Sequence, residues 1–147
     1  MRILALDLGE RRVGVAVSDP DGIMAHPLVQ FEPKGRGDLV ARVVRLVAEQ
    51  GAQRVVVGLP LLHDGRRGEQ ARRAEAVAAA LAGALEAPVV LWDERFSTVE
   101  AEAALRGAHL TADRRKARRD KVAAAFILQS YLDAGCPASP PPEAAGC

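Results

Sequence analysis

The sequence predicts an α/β fold: a mixed five-stranded sheet flanked by helices, with an antiparallel meander of three strands followed by two parallel ones. Two observations carry that prediction. Up to Phe31, strand-length apolar runs follow one another closely, separated by turn residues such as Asp19-Pro20-Asp21-Gly22. From Asp38 onward, helical periodicity alternates with short, wholly apolar runs, the pattern of parallel strands covered on both faces. Right-handed crossovers then place the two later strands parallel to the first, on its far side from the hairpin.

The first strand is expected over Arg2 to Leu8, ending at Gly9, and the second over Val13 to Ser18. A third, from Ile23 to Phe31, contains Pro27 and is therefore assigned to a sheet edge. Leu39, Val43, Leu46 and Val47 share one face of a helix that closes near Gly51. The fourth strand covers Arg54 to Gly58. A loop from Leu59 to Arg67 leads into an Ala-rich helix over Gly68 to Leu85, and Pro88 to Trp92 forms the fifth strand. Further helices are expected from Ser97 and over Arg118 to Leu132. Residues 1–134 thus read as one domain, and the Pro-rich segment 135–147 as a disordered tail.

A chain of 147 residues suits one domain with a proper core. A net charge of only +1 gives no global nucleic-acid signature, so any basic footprint has to be local. At 3% aromatic residues, an aromatic platform for base stacking is disfavoured. Cys136 and Cys147 both fall near the C-terminus and have no metal-ligand spacing, which suits a reducing compartment. The chain enters its first strand without a charged leader, and no apolar stretch spans a bilayer. The expectation is a cytoplasmic protein with no membrane partner.

Three acids carry the chemistry. Asp7 lies inside the apolar run Ile3 to Leu8, where an ionised carboxylate without a partner is strongly disfavoured. Glu94 follows the fifth strand, and ligands of open α/β sheets gather at the carboxyl ends of parallel strands. An exposed ion pair between Asp93 or Glu94 and Arg95 is the plainer reading there. Asp120 is read as opening the last helix, in line with Ala123, Ala124 and Ile127 on an apolar face. An acid complementing the helix dipole is the alternative there. Three such carboxylates suit two Mg²⁺ or Mn²⁺ ions about 3.5–4 Å apart, the arrangement that serves in-line phosphodiester cleavage. His26, His63 and His109 are scattered and form no competing ligand cluster.

A basic run, Arg114-Arg115-Lys116-Ala117-Arg118-Arg119, precedes Asp120 and crowds the expected helix start, where an anion is favoured. Arg11 and Arg12 follow Asp7 in a turn, and Arg95 adjoins Glu94. Ser97 has the capping-box spacing to Glu100. With Thr98, these residues are the candidate substrate contacts. Recognition is expected through backbone and shape rather than base sequence.

Four segments together resemble the YqgF family: Leu6-Asp7-Leu8-Gly9 with Arg12 to Asp19, Val57-Gly58-Leu59-Pro60-Leu61, Asp93 to Ala101, and Asp120-Lys121-Val122-Ala123-Ala124 through Tyr131. The family is a bacterial group described as pre-16S ribosomal RNA nucleases or Holliday-junction resolvase-like proteins. The resemblance covers roughly Arg2 to Asp133. It implies a ribonuclease H-like three-layer fold, metal-binding acids at Asp7, Glu94 and Asp120, and a cytoplasmic nuclease that trims the 5′ end of a ribosomal RNA precursor. Junction resolution is the other implied activity, and the partner is structured RNA or branched DNA. Either a monomer or a homodimer is compatible with the sequence. Glu10 stands where the family often has a small hydroxyl residue, and Leu62 where it often has Asn.

Two rivals remain at this level. The start Leu6-Asp7-Leu8-Gly9 also resembles the first phosphate loop of actin-like ATPases and sugar kinases, which need two lobes where this chain supplies one. The other rival is a catalytically silent nucleic-acid-binding module, against which the intact acidic trio argues.

Overall fold

A computed structural model describes residues 1–62, 64–94 and 112–137, the side chains of 112–122 excepted. Its elements are β1 (Ile3–Leu8), β2 (Val13–Ser18), β3 (Ala25–Phe31), α1 (Arg36–Gln50), β4 (Arg54–Leu59), α2 (Glu69–Ala84), β5 (Val89–Asp93) and α3 (Ala112–Asp133). The sheet order is β3-β2-β1-β4-β5, with β1–β2 and β2–β3 antiparallel and β1–β4 and β4–β5 parallel. This is the expected mixed sheet, including the far-side placement of β4 and β5.

Alternation along the strands divides the interior into two cores. Leu4, Leu6, Val55, Val57 and Leu59 pack with Leu39 and Val43 of α1 and with Ala71, Ala74, Val77 and Leu81 of α2. On the opposite face, Ile3, Ala5, Val56, Val90 and Trp92 pack with Ala124, Ile127, Leu128 and Tyr131 of α3. The run Val55-Val56-Val57 is wholly apolar because successive residues serve different cores.

Pro27 pairs opposite Ala16 on the edge strand, where the ladder shifts register between Val15 and Ala16. β3 begins at Ala25, two residues later than expected. The amides of Ile23 and Met24 bond the Asp19 carboxylate at 2.7 and 3.3 Å instead of extending the ladder. Gln129 of α3 fixes the same edge, accepting from the Ala25 amide and donating to the Ile23 carbonyl, both at 3.0 Å.

The last helix departs most from expectation. It starts at Ala112 rather than near Arg118, so Asp120 lies more than two turns inside it and the basic run forms helical turns. Ala, Arg and Lys are all strong helix formers, and no Gly or Pro interrupts residues 112–133. The expected concentration of cations at a helix start therefore holds only for Arg114 and Arg115. The helix expected from Ser97 lies outside the described residues.

At the amino-terminal end of β4, the Arg54 guanidinium donates to the Tyr131 hydroxyl and to the Cys136 carbonyl, both at 2.9 Å. The Tyr131 hydroxyl donates to the Pro137 carbonyl, and its ring meets Trp92 edge-on at 5.4 Å. Cys136 and Pro137, expected in a loose tail, are thus held against the sheet; residues 138–147 lie outside the description. The Arg54 Nε is buried with no hydrogen-bond partner among the described residues. Tyr131→Phe removes the only hydroxyl of this cluster and is expected to lower stability by about 1–3 kcal/mol, read as a shifted urea midpoint.

Candidate active site

Residue parity and strand order build the site. Asp7 follows Ile3 and Ala5 on the β1 face covered by α3, and Gly58 follows Val56 on the same face of β4. Glu94 continues the sequence Val90, Trp92 one residue beyond β5. All three therefore gather at the carboxyl ends of the parallel strands. Asp7 pairs opposite Gly14 of β2. On its other side, the register that joins Leu6 to Val57 brings Gly58 level with it. The carboxylate thus stands between two residues without side chains.

Glu94 occupies the space so created. Its carboxyl group is in hydrogen-bonding contact with that of Asp7. Burial, followed by the negative charge of Asp7, its hydrogen bond and the charge of Asp93, pushes the Glu94 carboxyl from 4.5 up to about 8. At neutral pH and without a cation, the pair is held together by a shared proton. A cation taking the place of that proton would meet hard oxygen donors only, the set that suits Mg²⁺ or Mn²⁺.

The turn after β1 carries the positive charge. Gly9 donates its amide to the Arg12 carbonyl at 2.9 Å. A Cβ at Gly9 would stand 2.8 Å from that carbonyl oxygen, so the tight closure depends on glycine. From α2, the Arg73 guanidinium donates to the Gly9 carbonyl at 2.5 Å and ties the turn to the helical layer. Arg11 and Arg12 are exposed and, with Asp7, Gly14 and Gln30, line a cleft of about 450 Å³. A neighbouring cleft of about 470 Å³ shares Arg11 and adds Arg36 and Arg73. Glu10, the departure noted above, lines both.

Of the expected site residues, the structure brings together Asp7, Glu94, Arg11 and Arg12. Asp120 belongs to α3, four and seven residues before Ala124 and Ile127, and its side chain is outside the description. The same holds for the side chains of Arg114, Arg115, Lys116, Arg118 and Arg119. Arg95, Ser97 and Thr98 are not described at all, nor are His63 and His109. Among the described residues, no three His, Cys, Asp or Glu side chains form a metal cage. His26 is exposed on β3. Leu62, the other departure, is 46% exposed and packs near Gly68 at the start of α2. Gly58, Gln30 and Arg73 went unpredicted. Only Gly58 leaves a trace in the sequence, as a glycine closing an otherwise β-branched strand.

The RuvX family model, described as a Holliday junction resolvase, matches residues 1–134. A Chloroflexus aurantiacus protein named "Putative pre-16S rRNA nuclease" is 50% identical over 132 residues, covering 90% of this chain and 86% of its own. A protein of the same name from Pelotomaculum thermopropionicum is 49% identical over 134 residues, covering 90% and 87%. Among solved structures, Thermus thermophilus RuvC in complex with a Holliday junction substrate superposes with a TM-score of 0.56 at 18% identity, over 92% of this chain and 97% of that one. A fowlpox virus resolvase in complex with Holliday junction DNA gives 0.54 at 12% identity, over 90% and 97%. The structural likenesses establish a ribonuclease H-like fold. No helix among the described residues is long and apolar enough to cross a membrane.

The raised Glu94 carboxyl predicts a pH dependence. The folded protein holds its proton between 4.5 and about 8, whereas the unfolded chain has released it. That stabilisation is complete below 4.5 and is lost as pH rises towards 8. The melting temperature of metal-free protein should therefore fall across this window. Asp7→Asn should flatten the fall, and millimolar Mg²⁺ should raise the melting temperature most at the alkaline end. Glu94→Gln should remove the fall, and a fall of the same size in that variant would show that other groups set it.

Proposed function

The chain belongs to the RuvX family, a family of nucleases that hydrolyse phosphodiester bonds, and from that premise we propose that it is a divalent-metal-dependent endonuclease. Its favoured task is processing of the 5′ end of pre-16S ribosomal RNA in the cytoplasm. The observation that carries the reading is the contact between the Asp7 and Glu94 carboxyls beside an arginine-lined cleft. Two acids so placed suit a cation and serve no packing purpose, since apolar residues in their place would pack more favourably.

In this reading, Asp7, Glu94 and Asp120 hold Mg²⁺ or Mn²⁺, as two ions. When bound, such ions activate the attacking water and neutralise charge on the leaving oxygen. Glu94 would hold the cation only without its proton, so metal affinity would rise with pH. Arg11 and Arg12, as delocalised, always-charged donors lining the cleft, would hold backbone phosphates. Arg95, Ser97, Thr98, Arg114, Arg115, Lys116, Arg118 and Arg119 are assigned further contacts with the same strand. Scarce aromatic residues leave the phosphate backbone and helical shape as the recognised features.

Junction DNA is the second substrate class, supported by the description of the RuvX family as a Holliday junction resolvase. Symmetric cleavage of a four-way junction needs two sites in fixed register and hence a dimer. A strictly monomeric protein would count against that branch.

A panel of precursor rRNA, unstructured RNA and four-way DNA junctions, each with Mg²⁺ or Mn²⁺, tests the assignment. Asp7→Asn and Glu94→Gln should each reduce cleavage by more than the 10–100-fold typical of residues that merely support a metal site, with unchanged circular dichroism. Purified protein that binds these substrates but cleaves none with either ion would favour the silent binding module. Arg11→Ala and Arg12→Ala should weaken binding of all sequences alike. Each should make the plot of log affinity against log salt shallower by about one unit.

A further inference from the structure

We propose that Gly58 is a positioning residue for cleavage: its missing side chain is the passage through which Glu94 reaches Asp7 across an intervening strand. The inference rests on the reading of Asp7 and Glu94 as metal ligands.

Strand order makes the passage necessary. β4 lies between β1 and β5, so the acids come from strands that are not neighbours. Adjacent strands are about 4.8 Å apart, and a glutamate can bridge two such spacings only by lying across the strand between them. Gly58 is the residue it crosses. A Cβ built there would stand 2.5 Å from Glu94 Oε1 and 3.0 Å from its Cγ. The same Cβ would lie 2.9 Å from Ile127 Cδ1, so α3 is seated over this glycine as well. Contacts that short force both the Glu94 carboxylate and the Ile127 side chain to shift.

The rest of β4 argues that the glycine is not incidental. Val55, Val56 and Val57 are fully buried, as expected of a central parallel strand, where glycine is disfavoured. Two demands meet at residue 58, and they are separable. If glycine were there only to seat α3, relieving Ile127 would make alanine acceptable. If it were there for Glu94, trimming Ile127 would restore the fold and leave the acid displaced.

The test compares wild type, Ile127→Val, Gly58→Ala and the double variant Gly58→Ala/Ile127→Val, because Gly58→Ala alone could fail for lack of a seated helix. Three quantities are read: melting temperature without metal, Mn²⁺ affinity by calorimetry, and Mn²⁺ dependence of cleavage of structured RNA and four-way DNA. The double variant is expected to melt close to Ile127→Val yet bind Mn²⁺ about 10–100-fold more weakly, with cleavage shifted to correspondingly higher Mn²⁺. Double-variant Mn²⁺ affinity equal to that of Ile127→Val would overturn the proposal and leave Gly58 a packing residue. Wild-type protein that binds no Mn²⁺ would overturn the metal-site reading itself, and the proposal with it.

Discussion

The pairing register of β1, β4 and β5 is the constraint on which everything else depends. Each of these strands sends alternate residues to opposite layers, so a slip of one position exchanges the two faces completely. Such a slip would aim Asp7 at α1 and α2 and place a valine where Gly58 now leaves room. The apolar residues that forbid it are the two separate cores. The placement of the acids is therefore a by-product of hydrophobic patterning, enforced by side chains that never meet a substrate.

This division of labour explains how an unfavourable arrangement persists. Two carboxyl groups in contact, one of them deprived of its usual acidity by burial and by its neighbours, work against folding. The cores on either side of the sheet tolerate them, and the exposed Arg11 and Arg12 line the cleft that Asp7 also lines. Strain stored at a site in this way is common where a ligand is meant to relieve it. The Gly9 turn, which bears Arg11 and Arg12, is also held in place, because Arg73 fastens its carbonyl from a different layer.

Much of this was legible in the sequence, and particular residues show why. Asp7 announces itself because a carboxylate among Ile3, Leu4, Leu6 and Leu8 has no packing rationale. Glu94 can be matched to it because crossover handedness fixes where β5 lies relative to β1. The start of α3 was not legible: a run of Arg, Lys and Ala serves equally as a solvated loop or as helical turns, and nothing local decides between them. The roles of Gly58 and Arg73 were hidden for a different reason. Each depends on contacts with residues far along the chain, Glu94 and Ile127 for one and Gly9 for the other. The late start of β3 was masked by Asp19, whose side chain substitutes for a strand partner.

The cluster of Arg54, Tyr131, Cys136 and Pro137 sits at the end of β4 opposite to Gly58. Four residues of extended strand separate the two ends, about 13 Å. The described chain therefore reaches Pro137 at the end of β4 remote from the acids. Loss of the Arg54–Tyr131 hydrogen bond would thus act on the fold from the end of β4 remote from the acids, and not through the site itself.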